Sequence, residues 1–355
     1  MKQPFIPFKL TSSPMKKLAL INFENDPDEF YRGLELQYFD GLPYGKGWRI
    51  IAYRNDKYVD VYDDLMLNFV ENERFDVAEK GLMHHTKAEI HGVRFDKDEY
   101  GVHICFSFKD RAERDIIIRI HEYTKRKSKP MNLLAPIGAG SSNPTYLPLY
   151  FLYEFDFVRK GKTEIHIEID GKLRKADNFP FPITKELQWR YYTRYSMDCH
   201  MIDFAESEDT ILSLVELEGD DSYTHGLTRY NFDSDEKKVS LKSILLNDEK
   251  NPVELTFDKP LPIISELDEV IEGKFSVRTK PIMGTIHGTY RWKKAKGICS
   301  ISISPNGGWT SVPNSFLTRI ILGPKSIFCT WPMTYRYRQK INMNSLKSRS
   351  EWTRI

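Results

Sequence analysis

The sequence predicts an all-β protein of antiparallel strands in two related barrel-like domains, with two β-sandwiches as the alternative. Three observations carry this. Apolar and polar residues alternate with a period of two in most readable segments. Aromatic residues make up 13% of the 355, which suits pleated, half-buried surfaces. A nine-residue stretch also recurs: FDVAEKGLM at 75–83 and FSVRTKPIM at 275–283 share Phe, Val, Lys and Met, and Ile-His-Gly follows each, at 90–92 and 286–288.

Along the chain, DPDEFYRGLELQYF from Asp26 carries acidic residues suited to a helical first turn and fits a helix or a strand. WRIIAY, KYVDVYD, GVHICFSF and DIIIRIHEY follow as short strands bounded by Gly, Asn or Asp. LYFLYEFDFV puts Leu149, Phe151, Tyr153, Phe155 and Phe157 on one face, with Glu154 and Asp156 on the other. RKGK joins it to TEIHIEID, where Ile165, Ile167 and Ile169 share a face, so the two segments predict an antiparallel hairpin. ITKELQWRYYTRY again fits a short helix or a strand, and TILSLVELE, VELTF, ICSISIS, FLTRIIL and MTYRYRQK complete the strand set. Charge, Pro180 and Pro182 interrupt the pattern at 171–186, which predicts an N-terminal domain at 20–178, a C-terminal domain at 179–342 and a basic tail at 343–355.

Fifty-two basic residues nearly cancel fifty acidic ones, so the whole-chain charge gives no reason to expect nucleic acid as a partner. Cys105, Cys199, Cys299 and Cys329 are far apart and form no CxxC pair, the usage of thiols in a reducing compartment. Pro4, Pro7, Pro14 and Lys16-Lys17 break the apolar residues of the first segment, leaving no signal-peptide core, and no later stretch is long and uncharged enough to span a bilayer. The expectation is a cytoplasmic protein.

The richest histidine cluster, MHHTKAEIHG, offers His84, His85 and His91, but its spacing matches no zinc pattern, so no metal and no cofactor is expected. His91-Gly92 and His287-Gly288 read as structural repeat positions, where the glycine permits a bulge or a close backbone approach. In MDCHMID, Cys199 and His200 would point to opposite faces of a strand, whereas Asp198 and His200 share one, which makes them the candidate catalytic acid/base pair. Trp189, Tyr192 and Tyr195 nearby, and Trp309 beside Gly307-Gly308, are the candidate ligand-binding aromatics. APIGAGSSNPTYLP, with Gly138, Gly140, Ser141, Ser142 and Asn143, is a long loop suited to an anion nest or a lid.

The stretches GTIHGTYRW and ISISPNGGW, a Gly-aromatic strand and then a strand entering a Gly-Gly-Trp turn, prompt a comparison of layout. Two successive β units over about 350 residues resemble the tandem lipocalin-like (calycin-type) double barrels of the carotenoid hydratase-like family, whose architecture fungal pericyclase-type cyclases share. The resemblance implies binding of a hydrophobic small molecule in a barrel or at the domain junction, with hydration, isomerisation or cyclisation as metal-independent chemistry. A noncatalytic carbohydrate- or protein-interaction β module is the alternative expectation.

Overall fold

The computed structural model describes residues 4–68, 80–125, 129–135, 147–180, 189–205, 210–212, 214–234, 238–263, 266–267 and 270–355. In chain order the strands begin β1 (Lys9–Ser12), β2 (Met15–Asn22), β3 (Tyr31–Gly41), β4 (Gly45–Arg54), β5 (Tyr58–Asp64), β6 (Gly81–Ala88), β7 (His91–Lys97), β8 (Val102–Lys109) and β9 (Asp115–Glu122). They continue with β10 (Met131–Ala135), β11 (Leu147–Arg159), β12 (Thr163–Ile169), β13 (Lys172–Arg174), β14 (Arg190–Ser196), β15 (Asp198–Ala205), β16 (Thr210–Ile211), β17 (Ser222–His225) and β18 (Thr228–Ser234). The last are β19 (Val239–Leu246), β20 (Val253–Pro262), β21 (Val270–Arg278), β22 (Thr285–Ala295), β23 (Ile298–Thr310), β24 (Tyr335–Asn342) and β25 (Lys347–Arg354). Two short helices, α1 (Phe316–Ile321) and α2 (Ile327–Thr330), lie between β23 and β24. The protein is therefore nearly all β, as the alternation predicts.

The chain gathers into two compact units, each assembled from separated segments. The first comprises Met1–Ser13, Asn132–Phe151 and His200–Ile355, and the second Pro14–Met131 and Leu152–Cys199. This partition differs from the consecutive domains 20–178 and 179–342, because β11 and β15 each contribute residues to both units. Period-two patterning marks a strand but carries no information about its partners.

In the first unit, β17 to β25 follow one another as neighbours in an antiparallel meander, and β16 closes onto the outer edge of β25. Alternation sets the faces: Tyr290 and Trp292 of β22, Ile301 and Ile303 of β23, and Tyr335 and Tyr337 of β24 are buried, while their neighbours face outward. Most of the expected basic tail forms β25, paired with β24 along its length. FLTRIIL, expected as a strand, is α1 instead. Ser315 accepts from the Thr318 N–H and Thr318 Oγ1 accepts from the Ser315 N–H, a reciprocal cap that starts the helix.

In the second unit, one sheet has the order β14-β2-β3-β4-β5-β6 and another the order β13-β12-β9-β8-β7. Their inner faces share one core, with Ile21, Leu34, Leu36 and Ile50 on one side and Ile104, Phe106, Ile118 and Ile167 on the other. DPDEFYRGLELQYF supplies the strand β3, and the RYYTRY portion of ITKELQWRYYTRY supplies β14. Residues 181–188, Phe75, Val77 and the loop glycines Gly138 and Gly140 lie outside the described residues, as do Ser141, Ser142 and Asn143.

The repeat survives in part. Both Ile-His-Gly sites open the first strand of an antiparallel hairpin, β7-β8 and β22-β23, and in both the register shifts at that site. Met83 and Met283 are not equivalent: Met83 is 39% exposed in β6, and Met283 is fully buried in the turn before β22. The glycines also serve different needs. Gly92 has a φ of +59° with open space around it, whereas a Cβ on Gly288 would meet the Ser304 carbonyl oxygen and lie 2.5 Å from the Phe275 ring. Gly92→Asn should therefore cost under about 1 kcal/mol, since Asn takes the left-handed conformation, and Gly288→Asn roughly 3 kcal/mol or more through overpacking. Denaturant midpoints of the two variants check this.

Candidate functional site

The second unit has an open cleft of about 720 Å³ where β6 approaches the turn between β8 and β9. Tyr62, Ala88, Phe108, Ile116 and Ile117 give it apolar surface, and His84, His85, His91 and Arg111 give it nitrogen donors. This volume falls within the range for small-molecule sites.

The cationic side of the cleft is held by β5. Alternation along YVDVYDD and a register shift after Val59 set Asp60 against His84 and Val61 against His85 across the parallel β5-β6 pair. Asp60 and Asp63 are buried. Asp60 Oδ2 accepts from Tyr31 Oη at 3.0 Å and from Arg54 at 3.2 Å, and the Arg111 guanidinium lies 3.6 Å away. Arg111 also contacts His84 Nε2. Asp63 receives a bidentate pair from Arg49 at 2.6 and 3.0 Å, and its Oδ2 lies 2.8 Å from His85 Nε2. Burial alone would raise the Asp63 carboxyl, but the bonds from His85 and Arg49 override it and hold its pKa down to about 2.

A second constellation lies on the same sheet. Cys105 Sγ is 3.3 Å from His121 Nε2, His121 Nδ1 is 3.0 Å from His103 Nδ1, and His103 Nε2 is 2.8 Å from Asp98 Oδ2. Both imidazoles can be neutral if the thiol donates to His121, His121 Nδ1–H to His103, and His103 Nε2–H to Asp98. Burial, then the neighbouring His103, pushes the His121 pKa down, and burial pushes the Cys105 thiol up. These shifts favour the uncharged chain. Strand alternation puts Cys105 on the same face of β8 as Ser107, and His121 on the same face of β9 as Ile117. Ser107 and Ile117 line the cleft, so the chain of hydrogen bonds starts beside it.

The sequence candidates separate. Asp198 belongs to the second unit and His200 to the first. The buried His200 places Nε2 3.0 Å from Ser12 Oγ and 3.8 Å from Asp248 Oδ2. Trp309 is buried, with its indole N–H donating to the Met283 carbonyl at 2.9 Å, the anchor of a turn. Trp189 is 58% exposed. Tyr192 packs beside Phe157 and Phe179 beneath the Arg194 guanidinium, and Tyr195 is buried in the core. His91 and His287 are exposed at their hairpin starts. Among the described residues, no group of three or more His, Cys, Asp and Glu is placed to hold a metal, and no helix is long and apolar enough to cross a membrane. Sequence reasoning missed Arg111 and the Asp98–His103–His121–Cys105 chain, although VHIC and RIHE already put these side chains on one polar face each. In comparisons with protein families, curated proteins and solved structures, the chain matches none.

Two outcomes follow from this geometry. The Asp63 carboxyl should contribute roughly 2–3 kcal/mol of stability above about pH 4, lost as the pH falls through about 2, because the unfolded chain takes up the proton first. Arg49→Ala should lower stability by roughly 3–5 kcal/mol and move acid unfolding to higher pH, measurable by circular dichroism. Iodoacetamide should label half-buried Cys105 before the buried Cys199, Cys299 and Cys329, at a rate that rises with pH because the thiol pKa is raised. Peptide mapping by mass spectrometry reads this order.

Proposed function

We propose that the protein binds a small organic molecule in the cleft of the second unit, and that Cys105 and His121 move protons on it. The observation that carries this reading is that Ser107, in the cleft wall, is the same-face neighbour of Cys105 at the end of the hydrogen-bonded chain. Ser107 follows Cys105 by one step on the same face, a spacing of about 7 Å along a strand. The apolar floor suits a carbon skeleton, and Arg111 with His84 suits a carbonyl, carboxylate or hydroxyl at its polar end. Such an occupant is amphiphilic. It keeps the hydrophobic half of the ligand that the lipocalin-like resemblance implies and moves it from a barrel interior to an open cleft.

Hydration and isomerisation need a group that takes up a proton and returns it. His121 can accept one at Nε2, and the resulting imidazolium is stabilised through His103 by the Asp98 carboxylate, which the Tyr100 N–H holds in its charged form. No charge then stands uncompensated on the sheet face. Cys105 ends this chain on the cleft side and serves as the donor on the return step, its thiolate then taking back the proton that His121 Nε2 accepted, 3.3 Å away.

Native mass spectrometry of the full chain, incubated with a metabolite extract from its host, tests the reading. A retained small molecule is expected, with retention weakened roughly ten-fold by His84→Ala and kept in Cys105→Ser, which should no longer convert it. Absence of any bound species, together with unchanged thermal stability in the extract, would sink the proposal.

A further inference from the structure

The near-neutral total conceals a segregation of charge. Residues 273–350 contain fourteen Lys and Arg and no Asp or Glu, while the remaining residues carry 38 basic against 50 acidic. This basic run builds β21 to β25 and the two short helices of the first unit.

Strand alternation places its charge on one outward face. Lys293 of β22 pairs with Ser300 of β23, Ser300 with Lys340 of β24, and Lys340 with Arg349 of β25. Three cations thus cross four adjacent strands, separated by a small hydroxyl. The next row repeats the arrangement with Arg291, Ser302 and Arg338. Glu272 is paired to Arg291 at 3.0 Å and Glu351 of β25 stands opposite Arg338, so carboxylates flank this second row at both ends and the first row is the more purely cationic.

The excursion between β23 and β24 adds an apolar element. Phe316 is 79% exposed, Ile320 55% and Ile327 63%. Phe316 and Ile320 are four apart in α1 and project on the same side. Basic Arg319, between Phe316 and Ile320, and Lys325, between Ile320 and Ile327, are exposed. The excursion is held from beneath by buried Leu322, Cys329 and Trp331, whose indole N–H donates to the Leu134 carbonyl. Its apolar side chains therefore face outward from a fixed support.

We propose that this surface of the first unit docks on an anionic lipid bilayer, with Phe316, Ile320 and Ile327 entering the interface and the basic sheet face meeting lipid headgroups. Clustered cations and exposed apolar side chains on one unit are the two features that peripheral bilayer binding uses. A nucleic acid would share the charge but not the rest: Phe275, Tyr290, Trp292, Tyr335, Tyr337 and Trp352 of these strands are all buried, so the basic sheet face itself offers no ring on which a base could stack, and exposed Phe316 stands with the aliphatic Ile320 and Ile327 in the excursion. Phosphate has no use for exposed aliphatics.

Vesicle flotation with the full chain tests this. The protein should float with phosphatidylcholine vesicles containing about one third phosphatidylserine, remain free of pure phosphatidylcholine, and be released by about 0.5 M salt. Replacing Phe316 and Ile320 together by Ser should weaken binding roughly ten-fold or more without lowering the thermal midpoint, since both side chains are exposed. Lys340→Glu should also weaken it. The proposal is overturned by failure to float with the anionic vesicles, by flotation indifferent to the Phe316/Ile320 change, or by tighter binding to a single-stranded oligonucleotide that ignores that change.

Discussion

Asp60 and Asp63, two carboxylates on one strand, are shut away from water, and the cationic side of the cleft depends on how they are compensated. A buried carboxylate without partners would take up a proton or unfold its surroundings. Here Arg49 and Arg54 on one neighbouring strand supply the countercharge, with Tyr31 as an added donor to Asp60 and His85 of the other neighbouring strand hydrogen-bonded to Asp63. His85 comes from the cleft's own edge strand, and Arg111 reaches in from the loop after β8. The groups that would meet a ligand are thus fixed because they also neutralise the interior. That economy explains why β6, with two histidines and a Lys, stays in place beside β5 although β5 is its one strand partner among the described residues.

The strand content was legible in the sequence because a half-buried strand writes its faces directly into the order of residues. TEIHIEID has the faces its alternation predicts, with Ile167 and Ile169 buried and Ile165 half-buried, but the hairpin expected with LYFLYEFDFV does not form: β12 pairs with β9 through opposed isoleucines and with β13, whereas β11 lies in another sheet. Pairing itself was not legible. Nothing in KYVDVYD indicates that a parallel neighbour will be added with a shifted register, and that shift brings His84 opposite Asp60. FLTRIIL misled for a related reason. Its run of apolar residues suits a strand, but the deciding signal is Ser315 with Thr318, a weaker version of the usual Ser-x-x-Glu capping signature.

The candidate site was harder to read than the fold because it is made of contacts distant in sequence. Cys105 and His121 touch only because β8 and β9 pair in one register, with Cys105 opposite Arg119 and His103 opposite His121. Asp198 and His200 stand two apart on β15, where the boundary between the two units falls between Cys199 and His200. Charge was misleading in the opposite way. A sum over 355 residues reports near neutrality, and the unbalanced run shows only when the same count is made in windows.

The interrupted order of segments in the first unit also bears on how the chain is made. Strand β1 has its partner in β15, with Ser12 opposite Ile202, and nearly two hundred residues must be synthesised between them. At ribosomal speeds of roughly 5–20 residues per second, β1 waits on the order of 10–40 s with an unpaired edge, while Pro14–Met131 can already begin to fold. Contacts of such long separation slow the search and lengthen exposure to other chains. The charged and proline-broken character of the first fourteen residues, with Lys2, Lys9, Pro4, Pro7 and Pro14, keeps that waiting edge a poor template for aggregation.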